Sequence, residues 1–425
     1  MMRAMDKTIQ NLIRKEDKRQ HETLDLIPSE NMVSQDVLAA LGSSLTNKYA
    51  EGYPGARYYG GNEYIDQIED LCRERALKAF GLSPKKWHVN VQPYSGSPAN
   101  LAVYFALVPP GEKIMGMELR MGGHLTHGHS VSATGKFWTP VRYAVNQKTE
   151  LLDYDAIAQI ARIEKPRLIV AGFTAYPRVI DFKKFRAIAD EVNAYLMVDM
   201  SHFAGLVAGG AYPTPFAYAD VVTTTTHKTL RGPRGAMIFA NRGSKIAATV
   251  AATVDKAGNK KEFDIARAID RAVFPGLQGG PHVNQIAATA TALEEASRPA
   301  FKKYAAQIVK NAQALADELG RLGWRTVSGG TNTHLILMDV AARGLSGKDA
   351  SVRLEENGIV ANYNTIPYDP RPPMDPSGVR LGTPTLTTRG MKEKEMRQVA
   401  GFINAVLAEK KNVKKEVLAL CKKFK

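Results

Sequence analysis

Residues 221–239, "VVTTTTHKTLRGPRGAMIF", decide the fold expected for this chain. The β-branched run from Val221 to Thr226 is typical of a buried strand, and Lys228 follows its end. A lysine after a strand is usually a solvated loop residue, because lysine is seldom fully buried. Lys228 becomes a candidate functional residue only if chemical partners for it occur elsewhere in the chain.

Asp199 is the first such partner. In "AYLMVDMSHFAGL", residues 194–206, it directly follows a hydrophobic strand. Adjacent strands of a parallel sheet would bring its carboxylate and the Lys228 amine to the same edge. That arrangement suits pyridoxal phosphate, whose aldehyde binds a lysine covalently while an aspartate keeps the pyridine nitrogen protonated. A charged amine is a poor nucleophile, so Lys228 also needs a buried position near other cations.

The chain between residues 60 and 285 alternates strand-like and helix-like segments. Apolar runs such as "PRLIVAGF" (166–173), "AYLMVDM" (194–200) and "ADVVTTTT" (219–226) are separated by amphipathic stretches such as "DFKKFRAIADEVN" (181–193). This alternation predicts an α/β fold with a mostly parallel central sheet. In such sheets ligands bind beyond the carboxyl ends of the strands, where Asp199 and Lys228 are expected.

A length of 425 residues predicts more than one domain. We expect an N-terminal helical arm over residues 1–28 that packs on a partner, a large α/β domain over 29–284, and a smaller C-terminal α/β domain over 285–425. A long helix over roughly 284–321 should open the last of these.

The composition is that of an ordinary globular protein, with 44% hydrophobic and 23% charged residues. No signal-peptide pattern and no run of eighteen apolar residues is present, so we expect a cytoplasmic protein that does not enter a membrane. The two cysteines, Cys72 and Cys421, have neither metal-ligand nor redox spacing.

The net charge of +15 is partly concentrated in the tail, residues 409–425, which has seven lysines and two glutamates. Val413, Val417, Leu420 and Phe424 fall at helical spacing in this tail. The pattern predicts a docked amphipathic helix with lysines in water. Nucleic-acid binding by the tail is the less favoured alternative, because no recognised nucleic-acid motif accompanies it.

A phosphate-binding turn is predicted in "QPYSGSPANLAVY", residues 92–104. Ser95, Gly96 and Ser97 open an apolar helical run, where free amides and hydroxyls can hold a dianion. A small-residue turn of this kind is a weak signal alone. It gains weight beside Asp199 and Lys228.

The segment "GGHLTHGHS", residues 122–130, allows a competing interpretation. His124, His127 and His129 could ligate zinc. No nearby cysteine and no HExxH motif supports a metal, and the glycines that precede His124 suit close approach to a flat ring. We therefore expect no metal.

Long motifs throughout the chain resemble those of serine hydroxymethyltransferases. They are "LDLIPSENMVS" (24–34), "LTNKYAEGYPGARYYGGNEYID" (45–66), "QPYSGSPAN" (92–100), "GGHLTHG" (122–128), "VDMSHFAGLVAGG" (198–210), the opening stretch (221–239), "FPGLQGGPH" (274–282) and "GVRLGTPTLTTRG" (378–390). The resemblance implies a pyridoxal-phosphate enzyme of the aspartate-aminotransferase-like fold type I. It further implies reversible transfer of the hydroxymethyl carbon of serine to tetrahydrofolate, and a homodimer or dimer of dimers with shared active sites.

The resemblance also implies roles for individual residues around the cofactor. Lys228 would bind the cofactor covalently, Asp199 would contact the pyridine nitrogen, and His124 would stack on the ring. The remaining cofactor-binding residues expected are His202, Thr174, Ser95, Gly96, Ser97, His227 and Tyr49, with Gly279 and Gly280 reaching the phosphate from the neighbouring subunit.

On the substrate side, Arg380 would clamp the amino-acid carboxylate, because a guanidinium offers two parallel donors to a planar anion. Ser29 would assist it. Glu51 would transfer a proton, for which a carboxyl group needs an apolar, partly dry surrounding. The expected catalytic set is Lys228, Glu51, His124, Asp199, His202, Tyr49 and Tyr59. The other substrate and folate contacts implied are Tyr58, Leu119, Gly123, Leu125 and Asn364.

Two alternatives stay open at this point. A threonine aldolase of the same fold would cleave β-hydroxy amino acids without folate, and the Glu51 segment argues against it. A nucleic-acid binder would use the basic tail. Tyr363 stands where the family commonly has lysine, and Pro177 where it has serine, which leaves tetrahydrofolate and a modified pterin both possible as the folate substrate.

Overall fold

The computed structural model describes residues 6–248, 253–254, 260–261 and 263–424. It forms two compact units: a larger one, Asn31–Ala306, and a smaller one made of Met1–Glu30 and Gln307–Lys425. This division differs from the expected boundaries, since residues 285–306 belong to the larger unit and the first thirty to the smaller. The first five residues of the expected arm and the last residue of the tail lie outside the described residues.

The strands of the described chain are numbered here in chain order. They are β1 Leu24–Asp25, β2 Gly52–Tyr53, β3 Ala56–Arg57, β4 Trp87–Asn90, β5 Lys113–Met117, β6 Thr139–Tyr143, β7 Leu168–Ala171, β8 Tyr195–Asp199, β9 Val221–Thr225, β10 Ala236–Asn241, β11 Thr253–Val254, β12 Lys260–Lys261, β13 Arg325–Thr326, β14 Leu335–Asp339, β15 Ile359–Val360, β16 Asn362–Asn364 and β17 Gly378–Gly382.

The α-helices are numbered in the same way. They are α1 Lys7–Glu22, α2 Gln35–Leu41, α3 Glu63–Ala79, α4 Gly96–Leu107, α5 Ala133–Phe137, α6 Tyr154–Glu164, α7 Phe182–Glu191, α8 Ala204–Ala208, α9 Lys245–Ala248, α10 Ile265–Arg271, α11 Val283–Ala296, α12 Pro299–Arg321, α13 Gly347–Glu356, α14 Pro384–Thr388, α15 Glu393–Leu407 and α16 Lys414–Cys421.

The larger unit is built on a seven-stranded sheet with the order β4-β10-β9-β8-β7-β5-β6. Strands β6, β5, β7, β8 and β9 are mutually parallel, and β10 runs antiparallel to β9 and β4. The predicted strand segments lie at β7, β8 and β9. The predicted α/β fold with a mostly parallel central sheet is therefore confirmed.

Both faces of this sheet are covered, which explains its continuous apolar strands. On β7, Leu168 and Val170 belong to a core cluster with residues of α4 and α10. The alternate residues Ile169 and Ala171 face the other way, as strand geometry requires, and are equally buried. On that second face α7 packs against β7 and β8.

The register of β8 and β9 brings the predicted functional residues to one edge. Asp199, the last residue of β8, pairs with Thr223, and β9 continues for two more residues to Thr225, shortly before Lys228. Gly172, just beyond β7, has φ +127°, and a Cβ there would lie 2.0 Å from the Asp199 carbonyl oxygen. Glycine at 172 thus lets the end of β7 approach Asp199 closely.

The single long helix predicted over 284–321 is wrong. The structure has two helices, Val283–Ala296 and Pro299–Arg321. The first ends where the Ser297 N–H donates to the Leu293 carbonyl. Pro299 has no N–H and restricts the residue before it, so it begins the second helix instead of continuing the first.

The smaller unit holds an antiparallel four-stranded sheet, β13-β14-β17-β16, and the parallel pair β1-β15. Its core joins Leu24 and Leu26 with residues of α15 and α16, so the N-terminal segment is part of this unit. The segment is helical over Lys7–Glu22 and then becomes a strand, rather than helical to residue 28. The smaller unit therefore combines helices and strands of residues 307–424 with the N-terminal strand β1.

The C-terminal tail docks as its apolar pattern predicted. Val413, Val417 and Leu420 are buried in the core of the smaller unit, with Phe424 packed against it. The lysines of α16 are exposed. Across the described helices, none is long and apolar enough to cross a membrane.

Replacing Leu420 by alanine tests this docking. Because the side chain is 4% exposed, Leu420→Ala should lower the free energy of unfolding by about 2–5 kcal/mol. Lys415→Ala, on the wet face of the same helix, should change it by no more than about 0.5 kcal/mol. Urea unfolding at one protein concentration measures both. Equal, small effects would show that the helix does not contribute to the core.

Candidate active site

The Asp199 carboxylate, at the end of β8, accepts three hydrogen bonds from the surrounding protein. Its Oδ2 accepts hydrogen bonds from Asn100 Nδ2 at 2.9 Å and from His127 Nε2 at 3.2 Å. Its Oδ1 accepts from the Ser201 backbone N–H at 3.0 Å. The residue is only 8% exposed. Three donors from three different segments therefore converge on one buried carboxylate.

These donors keep Asp199 ionised. Burial alone would raise the pKa of its carboxyl, but the hydrogen bonds from His127 Nε2 and from the Ser201 N–H hold that pKa well below its usual range. The His127 Nδ1 accepts from the His124 backbone N–H, so the ring proton lies on Nε2, facing Asp199. The site thus contains a permanent, buried negative charge.

A second layer of hydrogen bonds fixes the donors themselves. The Asn100 Oδ1 accepts from Thr223 Oγ1 at 2.8 Å, which leaves the Asn100 amide nitrogen directed at Asp199. That nitrogen also donates to Thr126 Oγ1 at 2.9 Å. Asn100 is 1% exposed on an otherwise apolar helix, α4. The network links α4, β9 and the histidine segment in one arrangement.

His124 is partly buried beside this network and is neutral. Burial, followed by the electrostatic effect of the neighbouring His127, lowers the pKa of His124 to about 4, while Asp199 acts in the opposite direction. The His124 Nδ1 accepts from the Thr126 backbone N–H at 3.2 Å, so its proton lies on Nε2. A flat, uncharged ring is therefore held next to the Asp199 carboxylate.

Lys228 lies just beyond β9 and is partly buried. Its Nζ donates to Thr225 Oγ1 at 2.8 Å, and its carbonyl accepts from Asn31 Nδ2 at 2.9 Å. The Lys228 charge contributes to the lowered pKa values of both His124 and His227. The amine predicted from the sequence therefore belongs to the same electrostatic site as Asp199.

The predicted phosphate-binding residues lie around the start of α4. Ser95 occupies the N-cap position of α4 without making a side-chain cap bond, and Gly96 begins the helix. A Cβ on Gly96 would lie 2.8 Å from Thr225 Cγ2, so glycine lets the turn approach β9. His227 Nδ1 is buried with no hydrogen-bond partner among the described residues. Burial and the Lys228 charge lower the pKa of His227 to about 3.

Four other predicted residues follow β8 or lie near the turn before His124: His202, Thr174, Leu119 and Leu125. His202 is buried after β8, and its carbonyl accepts from Thr229 Oγ1. Thr174 Oγ1 donates to the Gly123 carbonyl at 2.8 Å and thereby holds the turn before His124. Leu119 and Leu125 flank this turn, and Leu125 is 44% exposed.

A second group of predicted residues gathers around Glu51. The Tyr49 hydroxyl donates to Glu51 Oε1 at 3.3 Å, and the Tyr49 and Tyr59 rings are 4.9 Å apart. Built Cβ atoms on Gly279 and Gly280 would lie 3.0 Å from Glu51 Oε1 and 3.2 Å from the Tyr49 ring, respectively. The two glycines expected to serve a neighbouring subunit are therefore next to Glu51 of their own chain. Tyr58 contacts the Phe274 ring in the same area.

Arg57 holds this tyrosine-rich segment in place. Its guanidinium donates to the carbonyls of Ala50 and Gly52 on either side of Glu51, at 2.9 and 2.8 Å. It also pairs with the carboxylate of Glu69 on α3 at 2.7 Å, where both side chains are nearly inaccessible. A buried ion pair that also binds backbone carbonyls fixes the hairpin β2-β3 to the larger unit.

Arg380, Ser29 and Asn364 lie in the smaller unit. Arg380 is on β17, where its Nε donates to Asn362 Oδ1 at 3.2 Å. Burial lowers the pKa of Arg380 to about 10, which leaves the guanidinium charged at neutral pH. Ser29 and Asn364 are half-buried.

The zinc alternative has no support in the described residues, where no three His, Cys, Asp or Glu side chains are grouped for a metal ion. Both ring nitrogens of His127 are already used, one by the His124 N–H and one by Asp199.

Comparison with known proteins fits this geometry. A family model described as serine hydroxymethyltransferase matches residues 2–403. The chain belongs to this family. Serine hydroxymethyltransferase of Acidothermus cellulolyticus is 52% identical over 98% of this chain and 92% of its own length. Those of Desulfotalea psychrophila and Koribacter versatilis are 53% and 52% identical, over 100% and 98% of this chain and 95% and 93% of their own.

Membership of the serine hydroxymethyltransferase family confirms the predicted fold type I and the predicted enzyme class. It also confirms the predicted activity, transfer of the serine hydroxymethyl carbon to tetrahydrofolate with pyridoxal phosphate. The folate-independent aldolase alternative is disfavoured accordingly. The roles assigned to single residues remain predictions.

Several residues of this serine hydroxymethyltransferase site were missed by the sequence analysis. Asn100, Thr126 and Ser201 were not considered, and His127 was considered only as a zinc ligand. One signal was present: Asn100 is a lone amide on an apolar helix directly after the phosphate-binding turn. A buried polar residue in such a place needs partners, and these are Asp199 and Thr223.

The lowered pKa of His124 predicts a pH effect on stability. With a pKa of about 4 when folded against 6.5 when unfolded, the unfolded chain binds the extra proton between these values. Stability is therefore lost as pH falls from 7 to 5, and His124→Asn should reduce that loss by roughly 2 kcal/mol. Chemical unfolding of the cofactor-free protein at both pH values measures it. Identical losses in the two proteins would contradict a neutral His124.

Proposed function

We propose that Lys228, Asp199 and His124 form the cofactor site of this hydroxymethyltransferase, and that Glu51 and Arg380 handle the substrates. The observation that carries the proposal is the buried Asp199 carboxylate with its three donors, on the strand adjacent to the one that leads to Lys228.

The residues present fit pyridoxal phosphate. His227 Nδ1 is buried without a partner among the described residues, and the Ser95 side chain makes no cap bond, so both are suited to a phosphate. The start of α4 adds free amides and a favourable dipole. When bound, the cofactor supplies an electron-accepting ring that stabilises negative charge at the substrate α-carbon.

Asp199 keeps the cofactor nitrogen protonated, because an ionised carboxylate in a buried site favours a nearby cation. The neutral His124 ring would hold the cofactor ring without adding a positive charge that competes with the protonated nitrogen. Lys228 would hold the cofactor through its aldehyde, and Thr225 positions the Lys228 amine. Arg380, partly buried and charged, orients the substrate carboxylate, and Ser29 assists it.

Glu51 transfers the proton of the serine hydroxyl, with Tyr49 and Tyr59 around it, while Tyr58, Leu119, Gly123, Leu125 and Asn364 contact the folate. The proximity of Glu51 to Gly279 and Gly280 supports a shared site. If the two glycines reach the phosphate site of the neighbouring subunit, Glu51 also belongs to the active site of that subunit. The functional form is then at least a homodimer.

We also propose a cytoplasmic location, supported by the two buried free thiols of Cys72 and Cys421, which suit a reducing compartment. The proposed partners are serine, glycine and tetrahydrofolate rather than nucleic acid, since the apolar face of the basic tail is buried in the smaller unit.

Asp199→Asn tests the carboxylate. Removing the charge that keeps the cofactor nitrogen protonated should lower kcat at least about a hundredfold, which corresponds to about 3 kcal/mol. Serine-dependent formation of methylenetetrahydrofolate measures the activity. As a control, borohydride should still fix the cofactor on Lys228, detected by peptide mass spectrometry. Near-normal kcat, or labelling at another lysine, would refute the proposed site.

Subunit mixing tests the shared site. Glu51→Gln and Lys228→Arg should each be nearly inactive alone. If Glu51 serves the neighbouring subunit, mixed dimers contain one intact site, and an equal mixture should regain about one quarter of wild-type activity after random exchange. No regain, with exchange verified by mass spectrometry, would place Glu51 in the site of its own chain.

A further inference from the structure

A cavity of about 590 Å³ lies in the larger unit beside β4 and the C-terminal half of α3. The antiparallel strand β10 begins opposite Thr225, near Lys228, and ends opposite Trp87, in the wall of this cavity. The length of β10 separates these two points by about 17 Å along the sheet. The cavity is therefore distinct from the site around Asp199, and its volume is within the range of small-molecule sites.

The cavity has an apolar floor. Trp87 and Val89 of β4 line it and are themselves 3% and 1% exposed, so they present fixed surfaces. Leu77 of α3 and Leu82 and Pro84 of the following turn complete the apolar part. The Trp87 ring is held by an edge contact with Phe216 at 5.0 Å. Such a floor can cover the hydrocarbon or aromatic body of a ligand.

The rim of the cavity is positively charged. Arg73, Lys78 and Arg242 line it, and Glu74 is the acidic residue among the lining side chains. Within the described part of the chain, neither the Lys78 nor the Arg242 side chain has a hydrogen-bond or ion-pair partner. Exposed Lys85 and Lys86, next to Trp87 in sequence, add to the positive potential. An anionic head group would supply the missing counter-charge.

Arg73 is pre-oriented at this rim. One guanidinium nitrogen donates to His88 Nδ1 at 3.4 Å, and His88 Nε2 in turn contacts Asp270 Oδ1 at 2.8 Å. Its salt bridge to Asp70 is long, at 3.5 Å, and Asp70 is mostly exposed. Because His88 already restrains the Arg73 side chain, Arg73 loses less conformational entropy when it binds a ligand. The Arg242 backbone N–H donates a hydrogen bond to the Lys86 carbonyl, which fixes the Arg242 backbone next to the segment before Trp87.

We propose that this cavity is a binding site for a small amphipathic organic anion, with a carboxylate or phosphate head on Arg73, Lys78 and Arg242 and an apolar body on Trp87. An uncharged molecule of the same shape would leave the cations unpaired, and a small inorganic anion would leave the apolar floor empty. The proposal is independent of the catalytic roles given above.

Isothermal titration calorimetry with octanoate and with hexyl phosphate tests the site. The protein is the full chain saturated with pyridoxal phosphate and glycine, so that the phosphate turn and Arg380 are not free to bind the probes. We expect saturable binding of at least one probe, and the tighter of the two identifies the head group. Octan-1-ol should bind at least tenfold more weakly.

Charge-neutral variants locate the binding. Lys78→Gln and Arg242→Gln should each weaken binding of the tighter probe about tenfold, as expected for a charge-assisted contact. Both side chains are exposed, so the fold should be retained. Lys148→Gln, an equal change of charge at an exposed position away from the cavity, should leave the Kd within about twofold.

Fluorescence gives a second measure of location. Binding should change the tryptophan emission of the wild type, and Trp87→Phe should abolish the change, because the other two tryptophans, Trp138 and Trp324, do not line the cavity. Absence of saturable binding of both probes at millimolar concentration would overturn the proposal. Equal weakening by Lys148→Gln, or binding of octan-1-ol as tight as that of octanoate, would do the same.

Discussion

The need to keep one carboxylate charged inside the protein constrains the larger unit more than any other interaction. Asp199 accepts from Asn100 on α4, from His127 in the segment after β5, and from the turn that contains Ser201. A buried charge without such donors would be strongly destabilising. The hydrogen bonds that Asp199 requires therefore fix how α4, the histidine segment and β8 are placed. Thr223 and Thr126 in turn bind Asn100 and hold its amide in position.

The same surroundings have opposite effects on acids and bases at this site. Asp199 receives three hydrogen bonds and keeps its charge, while His124 and His227 are partly buried beside the positive Lys228 and lose theirs. The result is one anion, one cation and two neutral rings close to the end of β9. Which protonation state each group adopts follows from its neighbours rather than from its residue type. A cofactor with a cationic ring and an anionic phosphate requires an anion near its ring and a site near its phosphate without negative charge.

Local patterns were sufficient to predict much of the fold and part of the site. The strands before Asp199 and Lys228 were clear because both faces of a parallel sheet are buried, and the turn at Ser95 was clear because it opens an apolar helix. Long-range relations were not predictable in this way. The pairing of Leu24 with Ile359 involves strands of two residues, and the approach of Gly279 to Glu51 leaves no periodic signal. The break before Pro299 was visible in the sequence and was overlooked. Asn100 was missed because a single amide contributes little to any pattern.

The composition of the smaller unit has a consequence for how the chain folds during synthesis. The larger unit is one continuous stretch, Asn31–Ala306, and can assemble once that stretch has left the ribosome. The smaller unit needs both ends: Leu24 and Leu26 share a core with Val417 and Leu420. The first strand must therefore stay exposed until the segment that contains Val417 and Leu420 has been synthesised. A chain that stops before Val417 would have a folded larger unit, but Leu24 and Leu26 would lack their full core. Exposed apolar residues of this kind are recognised by chaperones and proteases.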